Sequence, residues 1–256
     1  MLVHITPVRA ESEGGGFFSR AERMRRLHTR ERALRWSYAV NYRLGAMFAV
    51  ALLPTRVSAN TVTVAALFVN ALGAILLLLV DAPASAVTVA VVLVVWQVAY
   101  SLDCADGLLA RARGQASPFG AWLDQVADFV GHTLTFGAIA VFLARALSLS
   151  GAAAAGVAAV AVAGSVVQLF AAAQRNSLLG TAPAAAGPQP RWLHLASFGQ
   201  QLADYGLYLL VCSLLLAAPW ALLGIILAFA LLSLLAVIAQ VALNWAAQRR
   251  RGPAGC

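Results

Sequence analysis

Four of the ten acidic residues fall within residues 101–129, between two of the most apolar stretches of the chain. Asp103 and Asp106 are three positions apart, so on a helix they share one face. Asp124 and Asp128 are four apart and also share a face. The segment joining the two stretches is short, which predicts antiparallel neighbouring helices whose aspartate pairs converge. Clustered carboxylates without histidine or cysteine ligands suit a hard divalent cation, with magnesium favoured and manganese or calcium as alternatives.

A bound cation would also offset the cost of placing these acids in a membrane. Ionised carboxylates near one point repel each other, and each costs roughly 2.5–3.5 kcal/mol at the centre of a spanning helix. Such cations also bind phosphate oxygens, so this site suggests phosphoryl chemistry on a lipid. The alternatives are structural salt bridges and an ion path. A path would need polar residues through the whole membrane depth, whereas the outer halves of the apolar stretches are almost purely apolar.

The composition is that of a membrane protein. The 256 residues are 61% apolar and 11% charged, whereas soluble domains are about 45–50% apolar and about 25% charged. The net charge of +8 comes from arginines clustered beside apolar runs. That distribution indicates contact with anionic lipid head groups and excludes a nucleic-acid partner. The three cysteines show no metal or redox spacing, so no disulfide framework is expected.

The elements that must position the aspartates are helices. We predict an all-α integral membrane protein in which six transmembrane helices follow an amphipathic interfacial helix. The predicted organisation is a flexible tail over 1–16, the interfacial helix over 17–53, a membrane domain over 54–247 and a basic tail over 248–256. The predicted spans are about 61–80, 86–109, 119–143, 149–173, 202–218 and 221–245. A solvated basic helix is the alternative for the segment over 17–53.

Six spans place both termini on one side of the membrane. Seventeen of the eighteen arginines then lie on that side, and Arg145 alone lies on the other. The positive-inside rule makes the arginine-rich side cytoplasmic. We therefore expect a multi-pass protein of the cell membrane, with both termini and the aspartates at the cytoplasmic face. Ser117 and Pro118 are a good start signal for the third span.

Small and basic residues accompany the aspartates. Gly107 and Ala110 keep the helix surface low beside Asp106, so that a ligand can approach, and Gly120 does the same on the next helix. The planar guanidinium group of Arg111 offers several N–H hydrogen-bond donors, an arrangement suited to a pyrophosphate. Taken alone, both glycines could equally serve helix packing.

These positions resemble the signature of the CDP-alcohol phosphotransferases. All eight fixed positions are filled at the expected gaps over 26 residues. They are Asp103, Asp106, Gly107, Ala110, Arg111, Gly120, Asp124 and Asp128. Asn60 and Thr63 further resemble an Asn-x-x-Thr motif that the family places near the nucleotide, although Asn60 could instead cap a helix.

The resemblance implies transfer from a CDP-linked donor, usually CDP-diacylglycerol, to a polar alcohol, with release of CMP. It implies one or two Mg2+ (or Mn2+) ions held by Asp103, Asp106 and Asp124. Asp128 is implied as the general base and a further metal contact. The implied donor contacts are Asn60, Thr63, Gly107, Ala110, Arg111, Ser117 and Gly120. A homodimer is also suggested, with the small-residue fourth span as one surface. A non-catalytic family member is the alternative that the intact signature argues against.

The acceptor alcohol is not determined by the sequence. Family members that use inositol phosphate carry basic residues just after the fourth aspartate, where this chain has Phe129 to His132. Arg175 and Arg191 could still serve a phosphate. His132 could line the acceptor pocket or be a packing residue, and Asp204 could meet a cationic head group or cap a helix. The CDP-linked substrate could also be the polar alcohol, with a diacylglycerol as acceptor.

Overall fold

A computed structural model describes residues 16–27, 35–179 and 204–251, and all regular secondary structure in these ranges is helical. The helices are α1 (Phe17–Leu27), α2 (Arg35–Ala39), α3 (Asn41–Leu52), α4 (Ala59–Leu79), α5 (Ala86–Ala112), α6 (Pro118–Ala146), α7 (Gly151–Leu179), α8 (Tyr205–Leu214) and α9 (Pro219–Arg251), with a 3-10 turn at Leu215–Ala217. The predicted all-α class is confirmed for the described residues.

Three helices, α4, α5 and α6, are long and apolar enough to cross a membrane. Their bounds lie within three residues of the first three predicted spans. The apolar parts of the later helices are shorter within the described residues, at Gly151–Val167, Tyr205–Ala217 and Pro219–Leu235. The chain is thus a helical membrane protein, and the count of six spans stays a prediction.

Each of the three long helices begins at a serine. The side chains of Ser58, Ser85 and Ser117 accept hydrogen bonds from backbone N–H groups three residues further on. These bonds satisfy donors that the first turn of a helix leaves unpaired. The start predicted at Ser117 and Pro118 is therefore confirmed. The alternative in which Asn60 caps its helix is wrong, because Ser58 holds that position.

Two arginines satisfy carbonyl groups where helices end. Arg145 donates to the carbonyls of Leu77 and Leu78 at 3.0 and 2.9 Å, which explains an arginine at the apolar end of the bundle. Arg113 donates to the carbonyls of Leu52 and Thr55 at 2.7 and 2.8 Å. A cation is favourable at the C-terminus of a helix because the helix dipole is negative there.

The interfacial helix predicted over 17–53 stays a prediction, since residues 28–34 of this segment lie outside the described ranges. The described residues form three segments, α1, α2 and α3. Within α2, the N–H of Ser37 donates to the carboxylate of Asp204 at 2.9 Å. The predicted end of the segment before Pro54 is confirmed, because α3 ends at Leu52. In α1, Glu22 pairs with Arg25 and Arg26, and hydrogen bonds from both guanidinium groups lower the Glu22 pKa to about 2.

Helices α1 and α3 pack on the face of α5 that is opposite its aspartates. Ala105, Leu108 and Leu109 of α5 lie buried against apolar residues of α1, α3 and α4. On a helix, Ala105 and Leu108 point away from both Asp103 and Asp106. A Cβ built on Gly45 of α3 would lie 2.8 Å from the carbonyl oxygen of Ser101, so the two helices touch at the backbone. This packing fixes the rotation of α5 and turns its acids towards α4 and α6.

A second core fills the other end of the bundle. Its largest fully buried side chains include Trp96, Phe136 and Phe142. In α7, a Cβ on Gly164 would lie 2.8 Å from Ala230 of α9. At this point the small-residue fourth span, which was suggested as a dimer surface, makes a close contact within the chain.

Candidate metal and substrate site

Three of the four aspartates converge between α5 and α6. One carboxylate oxygen each from Asp103, Asp106 and Asp124 lies within 4.8 Å of the other two. Asp106 is 5% exposed, while Asp103 and Asp124 are less deeply buried. The convergence predicted from the spacing is thus present for these three residues.

The carboxylate of Asp106 is oriented by two hydrogen-bond donors of the protein. Its Oδ2 accepts a hydrogen bond from the hydroxyl of Thr63 on α4, and its Oδ1 accepts one from the N–H of Gly107. Thr63 is 3% exposed. Thr63 was predicted to contact the CDP-linked donor substrate. In the structure its hydroxyl binds a carboxylate of the cluster instead. Helix α4 therefore contributes to the geometry of a site whose acids lie on α5 and α6.

Arg111 lies over the surface left bare by Gly107. A Cβ built on Gly107 would lie 3.1 Å from a terminal nitrogen of Arg111. Arg111 is exposed, so its guanidinium group stands at the mouth of the site, at a height where an anionic ligand can approach.

Asn60 faces the first turn of α6. A Cβ on Gly120 would lie 3.3 Å from both the Oδ1 of Asn60 and the Oγ of Ser117. Gly120 therefore leaves a narrow gap between two polar groups from different helices. Ala110 is partly buried on α5. The predicted donor contacts Asn60, Ser117 and Gly120 are brought together at this edge of the site.

Asp128 lies one turn beyond Asp124, outside the group of three carboxylates. It lines a cavity of about 30 Å³ together with Asp103. The other lining residues are Ala66, Leu67, Asn70, Ala99, Tyr100, Ala127, Gly131, His132 and Tyr205. The fourth aspartate thus faces the space beside the cluster.

Three polar residues of this cavity were not predicted from the sequence. Asn70 is 8% exposed and exchanges hydrogen bonds of 3.2 Å with the hydroxyl of Thr135. The rings of Tyr100 and Tyr205 meet edge to face with centroids 5.3 Å apart. The sequence feature that could have revealed this cavity was Asn70, because an amide inside an apolar span must find a hydrogen-bond partner.

His132 both packs and lines the cavity. Its Nδ1 hydrogen-bonds with the hydroxyl of Ser165, and its ring stacks on Tyr205 with centroids 3.9 Å apart. The bond to Ser165 leaves Nε2 as the ring nitrogen able to serve a ligand. Both roles predicted as alternatives for His132 are therefore compatible with the structure.

Asp204 caps α8. Its Oδ1 accepts from the N–H of Leu207 at 3.2 Å, and its carboxylate also binds the N–H and hydroxyl of Ser37. Asp204 is 1% exposed, so the capping alternative is confirmed. The side chain of Arg175 and the whole of Arg191 lie outside the described residues.

The cluster fits a hard divalent cation. It offers carboxylate oxygens alone, the donor set that Mg2+, Mn2+ and Ca2+ prefer. Oxygens that are within 4.8 Å of one another can share one ion whose metal–oxygen distances are about 2.0–2.6 Å. Asp103, Asp106 and Asp124 could therefore hold a metal.

Comparison with known proteins gives one family. The family model described as CDP-alcohol phosphatidyltransferase matches residues 56–249, well over half of the chain. The match includes both sequence motifs and the aspartate cluster. A comparison with curated proteins gave no match.

Proposed function

We propose that this chain, which belongs to the CDP-alcohol phosphatidyltransferase family, moves a phosphatidyl group from CDP-diacylglycerol to a polar alcohol and releases CMP. The observation that carries the proposal is the meeting of three carboxylates from two helices, with a fourth at the wall of the adjoining cavity. Attack on a diphosphate requires both charge neutralisation and a base, and this arrangement supplies groups for each.

The donor would lie at the edge formed by Arg111, Gly120 and Asn60. Arg111 would donate charge-assisted hydrogen bonds to the diphosphate. Gly107 and Gly120 would let the donor approach the helix backbones closely. The polar atoms of Asn60 and Ser117 flank this approach.

Asp103, Asp106 and Asp124 would hold one or two divalent ions, with Mg2+ favoured over Mn2+. Such an ion supplies positive charge to the phosphate oxygens of the donor and the leaving group. Thr63 and the N–H of Gly107 would keep the Asp106 carboxylate in one orientation. These two bonds restrict the rotation of a buried ligand.

Asp128 would act as the general base. As the acceptor oxygen bonds to the β-phosphorus, the bond from that phosphorus to the bridging oxygen breaks. CMP leaves with the electron pair of that bond, and the hydroxyl proton passes to the Asp128 carboxylate. The position of Asp128 on the cavity wall supports this assignment.

The proposed setting is the cell membrane, with six spans and with the site and both termini at the cytoplasmic face. Helices α1 to α3 would rest in the interface, and two copies of the chain would form a homodimer. Beyond the cavity the bundle is filled by Trp96, Phe136 and Phe142, each fully buried. That filling favours a transferase over an ion path.

The function is tested with purified protein, magnesium, CDP-diacylglycerol and a panel of alcohols. The proposal predicts CMP and a new phospholipid in equal amounts, measured by mass spectrometry, only when both substrates are present. The absence of CMP release with every alcohol would contradict it. Uptake of labelled divalent metal into proteoliposomes would favour the transporter alternative instead.

A further inference from the structure

The cavity extends from the carboxylate cluster towards the middle of the membrane. Thr63, which binds Asp106, and Asn70 are seven residues apart on α4. Seven residues of helix span about 10 Å. Asn70 lines the cavity, as does His132, one turn beyond Asp128 on α6. The cavity therefore lies deeper than the cluster, on the side away from Arg111.

The walls of the cavity present fixed, uncharged polar groups. Asn70 is held by Thr135, and the His132 ring is held by Ser165 and by stacking on Tyr205. The Tyr100 hydroxyl hydrogen-bonds with the hydroxyl of Ser37 at 3.3 Å. Side chains held in this way bind a ligand without a large ordering cost.

The cavity lining that the structure describes includes two acidic side chains and no arginine. The carboxylates of Asp103 and Asp128 both line the cavity. A hydroxyl or an ammonium group can donate to a carboxylate, whereas a phosphate group would find no cationic side chain among these lining residues. The volume of about 30 Å³ is about two to three times what one water needs on this measure, which suits the hydroxyl-bearing end of a small alcohol.

Resting on the proposed function, we propose that this cavity selects an acceptor alcohol that carries no phosphate group. Asp128 faces the hydroxyl that reacts. Asn70, His132 and Tyr205 bind the hydroxyl or amino groups that do not react. These three residues determine specificity, and the proposal decides between the acceptor classes that the sequence left open.

The first test uses matched pairs of acceptors: glycerol against glycerol phosphate, and inositol against inositol phosphate. With labelled CDP-diacylglycerol and magnesium, the phosphate-free member is expected to have at least about a tenfold higher kcat/KM in one pair. Equal use of both members, or preference for the phosphorylated one, would overturn the proposal.

Donor binding separates this proposal from the proposed function. CDP-diacylglycerol binding is measured by equilibrium titration without any alcohol. Binding without transfer to any phosphate-free alcohol overturns the acceptor proposal alone. If the protein neither binds CDP-diacylglycerol nor transfers to any alcohol, the proposed function is overturned as well.

The second test assigns the residues. His132→Phe keeps the ring that stacks on Tyr205, and Tyr205→Phe keeps the ring that stacks on His132. Each is expected to raise the KM for the alcohol about three- to tenfold, the effect of one lost hydrogen bond, with the donor KM within about twofold of wild type. Unchanged alcohol KM values in both variants would contradict the assignment.

Ser213→Ala is the matched control. Ser213 is a buried polar residue of α8, the helix that also carries the partly buried Tyr205. The Ser213 hydroxyl donates to Leu209 of its own helix at 2.7 Å and lies outside the cavity lining. Wild-type KM values in this control are expected. A rise in alcohol KM equal to that of Tyr205→Phe would show a general packing effect and would overturn the assignment.

Discussion

The hydroxyl of Thr63 on α4 donates a hydrogen bond to the carboxylate of Asp106 on α5. The two residues are 43 positions apart, and both are at least 95% buried. A helix that carries none of the clustered acids therefore orients one of them. Hydrogen bonds of this kind fix how a carboxylate presents its oxygens to a cation.

Thr63→Val removes this hydroxyl and keeps the shape of the side chain. We expect a loss of about tenfold to a hundredfold in magnesium affinity or in activity, because partners that orient metal ligands contribute on this scale. The measurement is CMP release against magnesium concentration. Thr133→Val is the control, since that exposed hydroxyl bonds to Phe129 of its own helix. Equal magnesium dependence in the two variants would contradict the role of Thr63.

Gly120→Ala tests the narrow edge of the site. The added Cβ would lie 3.3 Å from both Asn60 and Ser117, so these groups must shift and the donor approach narrows. We expect the donor KM to rise by roughly three- to tenfold, equivalent to about 1 kcal/mol. In Gly137→Ala, on the same helix, the Cβ meets nothing within 4 Å, and unchanged kinetics are expected. A wild-type donor KM in Gly120→Ala would count against this edge as the donor site.

Arg111→Ala is expected to weaken CDP-diacylglycerol binding about tenfold to a hundredfold, the scale of a hydrogen bond to a charged group. Isothermal titration with the donor measures it. Arg113→Ala is the comparison, because Arg113 bonds to carbonyls at the end of α3. That variant should lower the thermal stability and leave donor affinity near wild type. If Arg113→Ala weakened donor binding and Arg111→Ala lowered only the thermal stability, the roles assigned to the two arginines would be contradicted.

Asp128→Asn should reduce the rate of CMP release by at least about a hundredfold, because general-base catalysis contributes on that scale. Donor affinity should stay near wild type, since the substitution keeps the size of the side chain at the cavity wall. Asp81→Asn, at an exposed position in the loop after α4, is the control. A near wild-type turnover in Asp128→Asn would remove Asp128 as the base.

The aspartate cluster could be predicted because it depends on local rules. Helical spacing puts Asp103 and Asp106 on one face, and a short connection makes the next helix an antiparallel neighbour. The start of α6 at Ser117 follows equally local capping rules. These inferences need no knowledge of how the other helices rotate.

The rest of the site depends on contacts between distant parts of the chain. Helix α2 is tied to Asp204, which binds Ser37 from 167 residues away. Tyr205 reaches the cavity because Asp204 starts α8 at that residue. The spacing of residues within one helix does not reveal such contacts, so neither Tyr205 nor the contact between α2 and Asp204 could be predicted.

Metal binding tests the central claim most directly. Binding of Mn2+ to the purified protein in lipid nanodiscs is measured by electron paramagnetic resonance, with Asp81→Asn as control. The account predicts that the wild type and the control bind Mn2+, and that Asp103→Asn, Asp106→Asn and Asp124→Asn each weaken binding at least about tenfold, since each removes a charged ligand. Wild-type protein that binds no Mn2+, or three variants that bind it as the wild type does, would contradict the account.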